Sequence, residues 1–177
     1  MRKLSMEELN RIDIGSFKNQ TKAPIVVVLD NVRSMHNVGS TFRTADGFAI
    51  GKIALCGITG TPPHREIEKT ALGATQSVDW EYHRDTVIAV QQLKKEGYTV
   101  LAIEQAAESI VLQHIEIEPE KKYALVFGHE VHGVSDDVMQ IVDGCIEIPQ
   151  FGTKHSLNVS VTIGIVLWQF IQKLKLL

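Results

Sequence analysis

The sequence predicts an α/β fold, a mostly parallel sheet with helices on both faces. Three observations predict it. Ile25 to Leu29 is a continuous aliphatic, mainly β-branched run between Pro24 and Asp30, the composition of a strand buried on both faces. Similar short runs alternate with helical patterns down the chain, which is the order of βα units. The stretch from Ile148 to Gln172 ends a strand at Pro149, passes through a polar loop at 150–155, and enters a helix that is apolar nearly all round. Such a helix must be buried on more than one side. It is too short, and too polar at its start, to span a membrane.

In chain order, Ser5 to Glu8 has the form of a capping box, so a short helix is expected to start at Met6, with a polar linker at Asn19 to Lys22. After the first strand and a polar loop, Val38 to Ala49 reads as a helix with Val38, Phe42, Ala45 and Ala49 on one face, ended by Gly51. Strands are expected at Ile53–Cys56, Val78–Tyr82, Tyr98–Ile103, Tyr123–Phe127 and Cys145–Ile148. Helices are expected at Glu66–Leu72, Asp85–Lys95 and Val134–Ile141, and the final helix carries Ser156 and Asn158 in its first turn. Ser109 to Glu118 reads as a loop with room for a short helix.

The 177 residues are enough for one domain with a full core. Hydrophobic residues at 44% and charged residues at 22% fit a soluble globular protein. A formal charge of −3 is not that of a generic nucleic-acid binder, so any such contact must come from local patches rather than from the overall field. Cys56 and Cys145 have no metal-ligand spacing and read as buried thiols of a reducing compartment. Met1 to Gln20 has no apolar signal region, so a cytoplasmic protein is expected.

Ligands of an open parallel sheet sit beyond the carboxyl ends of its strands. Three of those ends are chemically distinctive: Ile103-Glu104-Gln105-Ala106, Gly128-His129-Glu130-Val131-His132-Gly133, and Ile148-Pro149-Gln150-Phe151-Gly152. Their glycines allow close backbone approach, as a flat hydrogen-bonding ligand such as adenine needs; the alternative is that they only close tight turns. In the first loop, Asn37 is placed to cap the following helix. Arg43 lies six residues on, about 9 Å along the axis, and its extended side chain points back toward that helix start. Gly39 and Ser40 leave room for a phosphate or ribose oxygen, with solvated Arg43 and a simple cap as the alternative. No G-x-G-x-x-G follows a strand, and Gly47 to Lys52 lacks the P-loop spacing. His129 and His132 do not have zinc-helix spacing, so no metal is expected.

Asn37 with Arg43 resembles the first motif of the SpoU family, the 2′-O-ribose RNA methyltransferases of the SPOUT superfamily. The segment 128–133 resembles its second motif, G-x-E-x-x-G. The segment from Ile148-Pro149 through Ser156-Leu157-Asn158-Val159-Ser160 resembles the third. The three stand in the family's order and cover nearly the whole chain from Pro24 onward. The resemblance implies a C-terminal deep trefoil knot in a catalytic domain at 24–177, preceded by a short helix and linker at 1–23. It implies S-adenosyl-L-methionine bound at the knot by Ile103, Glu104, Gln105, Gly128, Ile148, Gln150, Ser156 and Leu157. It implies a homodimer through the C-terminal helix, with Trp168 and Phe170 either at that interface or in the core. Catalytic roles fall on Arg43, Asn37, Glu130, Ser156 and Asn158. Arg33, His36, Arg43, Arg65, His132 and Lys154 are the expected RNA contacts.

The implied reaction is transfer of a methyl group to a ribose 2′-hydroxyl. Arginine has a pKa above about 12, so a charged guanidinium stabilising the developing alkoxide is physically easier than an arginine base. The few residues before the first strand favour tRNA over rRNA as substrate. Two rivals stand beside this reading: a base methyltransferase of the same fold and a non-catalytic RNA-binding module.

Overall fold

The structure is a computed structural model of the chain and describes residues 1–5, 7–154 and 156–174. The helix start expected at Met6 and the loop end expected at His155 lie outside the described residues. Seven strands are present among the described residues: β1 (Ala23–Asp30), β2 (Ile50–Cys56), β3 (Trp80–His83), β4 (Tyr98–Ile103), β5 (Ile110–Val111), β6 (Lys122–Phe127) and β7 (Gly144–Glu147). They form one sheet in the order β3-β2-β1-β6-β4-β7-β5. Every pairing is parallel.

The sheet is covered on both faces, as the continuous apolar strands require. Ile25, Val27 and Leu29 of β1 face a core shared with Phe42 of α2 (Met35–Gly47), Ile67 of α3 (Arg65–Ala71), and Ile163, Val166, Leu167 and Phe170 of α7 (Val159–Lys173). Val26 and Val28 face the opposite core, with Ala89, Val90 and Leu93 of α5 (Thr86–Lys95) and Val138 of α6 (Asp136–Met139). The four-residue α4 (Ala74–Ser77) packs beside α2. Among the described residues no helix is long and apolar enough to cross a membrane.

Several boundaries differ from expectation, each for a local reason. Ser5 and Glu8 do exchange the bonds of a capping box, at 2.7 and 3.3 Å. Only a turn follows, ending at Asn10 in the left-handed region with φ 45°. The first helix is α1 (Ile14–Asn19), capped by Asp13 and anchored by buried Phe17, where a linker was expected to begin at Asn19. One apolar anchor in six residues gives no periodic signal. Helix α2 starts at Met35, capped by the Ser34 hydroxyl, so Asn37 lies within its first turn and is not its cap. It ends at Gly47, and Gly51 lies inside β2.

The expected strand at Val78 is displaced because Val78 closes α4, so β3 begins at Trp80. α6 is four residues rather than eight. α7 starts at Val159 with Asn158 as its cap, so Ser156 stands in the preceding loop and not in the helix. The ambiguous 109–118 region contains β5 and a 3-10 turn at Leu112–His114. Phe170 is fully buried with its ring edge-on to Tyr123 at 5.3 Å, which removes it from any intersubunit face.

Candidate active site and cofactor pocket

The loops leaving β4, β6 and β7 converge with the approach to α7 around a cavity of about 540 Å³. That size is ordinary for a cofactor or small-molecule site. Its wall is built from the ends of three neighbouring strands, where the sheet order β6-β4-β7 places them side by side. All eight residues expected to hold the cofactor line it: Ile103, Glu104, Gln105, Gly128, Ile148, Gln150, Ser156 and Leu157. Phe127 and Ile146 add apolar surface, and Glu130, His132 and Asn158 stand at the same wall. Apolar side chains alternating with strand-end backbone groups suit an adenosine-sized ligand, so the residues present fit S-adenosylmethionine.

The second loop is closed on itself. His129 N–H donates to the Gly133 carbonyl at 3.0 Å, and Gly133 N–H donates back at 2.8 Å. Gly133 has φ 69°, the left-handed region that favours glycine. A Cβ at Gly128 would lie 2.0 Å from the Gly133 carbonyl carbon and 2.1 Å from the Val134 nitrogen. The close approach that makes Gly128 necessary is thus within the loop itself. His129 Nδ1 accepts from Val131 N–H at 3.0 Å and from His132 N–H at 3.4 Å, and the two imidazoles sit 4.8 Å apart.

Glu130 leaves this loop and reaches the start of α2. Its carboxylate accepts from Arg33 N–H at 3.0 Å, Ser34 N–H at 2.9 Å and the Asn37 amide at 3.1 Å. Burial alone would raise its pKa, but these donors outweigh burial and hold the carboxyl below its ordinary value. Asn37, buried in the first turn of α2, accepts on its Oδ1 from the Asn158 amide at 3.2 Å. Asn158 in turn accepts from Ser160 N–H at 2.9 Å and caps α7. One hydrogen-bonded chain therefore joins all three motif segments. The expectation of an open anion pocket at the α2 start is corrected: Glu130 of the same chain occupies that helix end. Gly39 does not leave room there either, because it packs against α3, where a Cβ would meet the Ile67 carbonyl at 2.2 Å.

Arg43 is exposed and does not line the cavity. Among the described residues no hydrogen bond or ion pair joins it to Asn37 or to any other group, so its expected reach back to Asn37 is not made within one chain. Six residues on a helix rotate it about 120° away from the Asn37 face, which outweighs the backward lean of the side chain. Of the expected RNA contacts, only His132 lines the cavity. Arg33 and Lys154 are exposed, and His36 pairs with Glu66 at 2.7 Å. Arg65 is almost wholly solvated, 3.9 Å from Glu66.

The SpoU rRNA Methylase family profile matches residues 24–168. The chain belongs to that family. A tRNA (guanosine(18)-2'-O)-methyltransferase of Thermus thermophilus is 31% identical over 162 residues, covering 92% of this chain and 81% of that protein. The 23S rRNA (guanosine-2'-O-)-methyltransferase RlmB of Neisseria meningitidis serogroup B is 29% identical, covering 85% of this chain and 59% of that one. Among solved structures, the Aquifex aeolicus TrmH/SpoU tRNA modifying enzyme matches with a TM-score of 0.79 and 28% identity, covering 92% of this chain and 80% of that one. The AdoMet-bound rRNA methyltransferase from Sinorhizobium meliloti also gives 0.79, at 26% identity, covering 86% and 57%.

Within this SpoU fold, sequence reasoning missed the groups that hold the motif loops. Ser34 caps α2 and left a signal, a serine just before the helical period. Asp30 is buried at the end of β1 and accepts from Thr86 Oγ at 2.6 Å and Ser135 N–H at 2.8 Å. An aspartate after an apolar strand reads as a turn residue, and nothing local marks it as buried.

Proposed function

We propose that this chain is an S-adenosylmethionine-dependent RNA methyltransferase that modifies a ribose 2′-hydroxyl, with tRNA as its substrate. The observation that carries the reading is the Glu130–Asn37–Asn158 chain, whose two ends line the cavity and which ties the three SpoU motif segments into one site. The 31% identical relative that acts on tRNA and spans most of this chain supports the substrate class.

S-adenosylmethionine supplies an electrophilic methyl group on its sulfonium. The residues of this chain do the rest. Ile103, Ile148 and Leu157, which line the cavity, would hold the adenine, and the strand-end backbone at Glu104 to Gln105 and at Gly128 would supply its polar partners. Glu130 stays anionic and its oxygens are engaged, so it orients α2 and Asn37 and does not take the proton. Ser156 and Asn158 line the same cavity and would fix RNA or cofactor there. The guanidinium of Arg43 stabilises negative charge on the attacking oxygen, and a phosphate oxygen of the RNA accepts the proton.

Arg43 reaches this site from a second copy of the chain. It is solvated and away from its own cavity. Val161, Ile165 and Trp168 leave an exposed apolar stripe (Val161 51%, Trp168 44%) along one side of α7. A homodimer closed by a twofold axis covers such a stripe on both subunits at once. Arg33, Arg65 and Lys154 then serve as exposed contacts for the RNA backbone. We further assign residues 24–177 to the catalytic domain and 1–23 to a short N-terminal helix and linker, with the C-terminal segment threaded as a trefoil. Two buried free thiols favour a cytoplasmic location.

The test is methyl transfer from labelled S-adenosylmethionine to unmodified total RNA, followed by nucleoside analysis with tRNA and rRNA kept apart. The expected product is a 2′-O-methylated nucleoside in the tRNA fraction. A methylated base would refute the 2′-hydroxyl assignment, and label confined to rRNA would refute the substrate class.

A further inference from the structure

Strand β6 lies between β1 and β4, and its carboxyl end runs straight into the loop 128–133. Both flanking strands end in a carboxylate. Asp30 ends β1, and Glu104 follows β4. Glu104 Oε2 accepts from Val134 N–H at 3.2 Å, and Asp30 Oδ2 accepts from Ser135 N–H at 2.8 Å. Two consecutive amides, just past the cavity loop, are thus held from opposite sides by side chains of the two neighbouring strands. The same turn is the one that crowds Gly128. α6 begins immediately afterwards, and Ser135, its cap residue, makes no side-chain capping bond.

We propose that Asp30 and Glu104 are positioning residues that clamp the 133–135 turn and thereby fix the geometry of the cofactor-binding loop. Asp30 is 1% exposed, and a carboxylate so buried survives only when fully bonded. Its other oxygen accepts from Thr86 Oγ and from the Asn31 amide at 2.8 Å. Glu104 also binds Gln105 N–H, at 2.8 Å, through its second oxygen. Each carboxylate therefore spends one oxygen on its own neighbourhood and one on the turn. Releasing either lets the turn drift from β6, and the loop 128–133 drifts with it.

The role in cofactor binding rests on the reading given under Proposed function, whereas the clamp itself is tested without any ligand. Hydrogen exchange of the unliganded full chain is followed for Asp30→Asn, Glu104→Gln and, as a control, Thr86→Val. The control removes a buried partner of Asp30 and leaves the Ser135 bond in place. Exchange across 128–135 is expected to quicken about tenfold or more in Asp30→Asn and Glu104→Gln, with β6 itself little changed, and to stay near wild type in Thr86→Val. Affinity for S-adenosylhomocysteine, measured well below the melting temperature, is expected to fall about tenfold in the first two variants and not in the control. Unchanged exchange at 128–135 in both carboxylate variants overturns the clamp, and so does an equal response to Thr86→Val. Faster exchange with unchanged affinity overturns its role in binding. A wild-type protein that fails to bind the cofactor, with exchange behaving as expected, keeps the clamp and overturns the functional reading alone.

Discussion

Two halves of the site differ in how complete they are. The cofactor half is finished within one chain: its loop closes on itself, its glycines fill tight contacts, and Glu130 is bonded through both oxygens. The substrate half is unfinished. Arg43 is solvated, and the stripe through Val161 and Trp168 faces outward. The contrast separates the two halves experimentally: under the reading proposed above, cofactor binding belongs to one chain and transfer to the pair. In the proposed dimer, one chain supplies the cofactor wall and the second copy supplies Arg43 for transfer.

The largest effect that separates the halves is on Arg43. Arg43→Ala is expected to lower the transfer rate by about 100-fold or more, because charge stabilisation at the reacting oxygen is lost. Cofactor affinity, measured by equilibrium titration, should stay within about twofold, since no cavity contact changes. Transfer that survived at wild-type rate would remove Arg43 from the mechanism.

Gly128→Ala attacks the other half. The added Cβ meets backbone atoms at 2.0 and 2.1 Å, which no rotamer change relieves. Overpacking of this kind costs about 1–3 kcal/mol, equivalent to a loss of about 5–150-fold in affinity if the loop bears the strain. Calorimetric titration with S-adenosylhomocysteine reads it. Affinity equal to wild type would show that the loop is not the rigid element described here.

A mixing experiment sharpens the comparison further. Arg43→Ala subunits keep a sound cavity wall, and Asn158→Ala subunits keep a sound Arg43. If each site combines the wall of one subunit with the arginine of the other, half of randomly mixed dimers contain one working site. Transfer should recover to about one quarter of wild type. No recovery, with exchange of subunits verified by mass, would place Arg43 in its own chain's site.

The fold was legible because its signal is in composition. Runs such as Ile25–Leu29 and Tyr123–Phe127 are apolar on both sides, and that pattern has few readings besides a covered parallel sheet. Eight of the residues lining the cavity were legible only because their segments resemble the SpoU motifs. What could not be read was long-range polar pairing. Asp30 meets Ser135 across 105 residues, and Glu130 meets Ser34 across 96. No local pattern tells a buried, fully bonded carboxylate from one in a solvated turn. The misplaced cap has the same origin. Asn37 is a good capping residue by type, but Ser34 precedes it and takes the role, which frees Asn37 to join Glu130 to Asn158.

The smallest expected effect concerns the joint between the halves. Glu130 has a folded pKa below its ordinary value of 4.5. A carboxyl depressed by folding contributes stability that is fully present above the unfolded value and is lost as pH falls through the folded one. Chemical denaturation of wild type should therefore show a loss below about pH 4.5 that Glu130→Gln lacks, because the amide does not titrate. The group is partly solvated, so the difference is about 1 kcal/mol or less. Its sign still decides something. If the wild type loses no more stability than the variant in that window, the Arg33, Ser34 and Asn37 donors do not hold Glu130 as an anion. The bridge between a complete cofactor half and an open substrate half would then be a weak contact, and α2 would be free to move relative to the cavity wall.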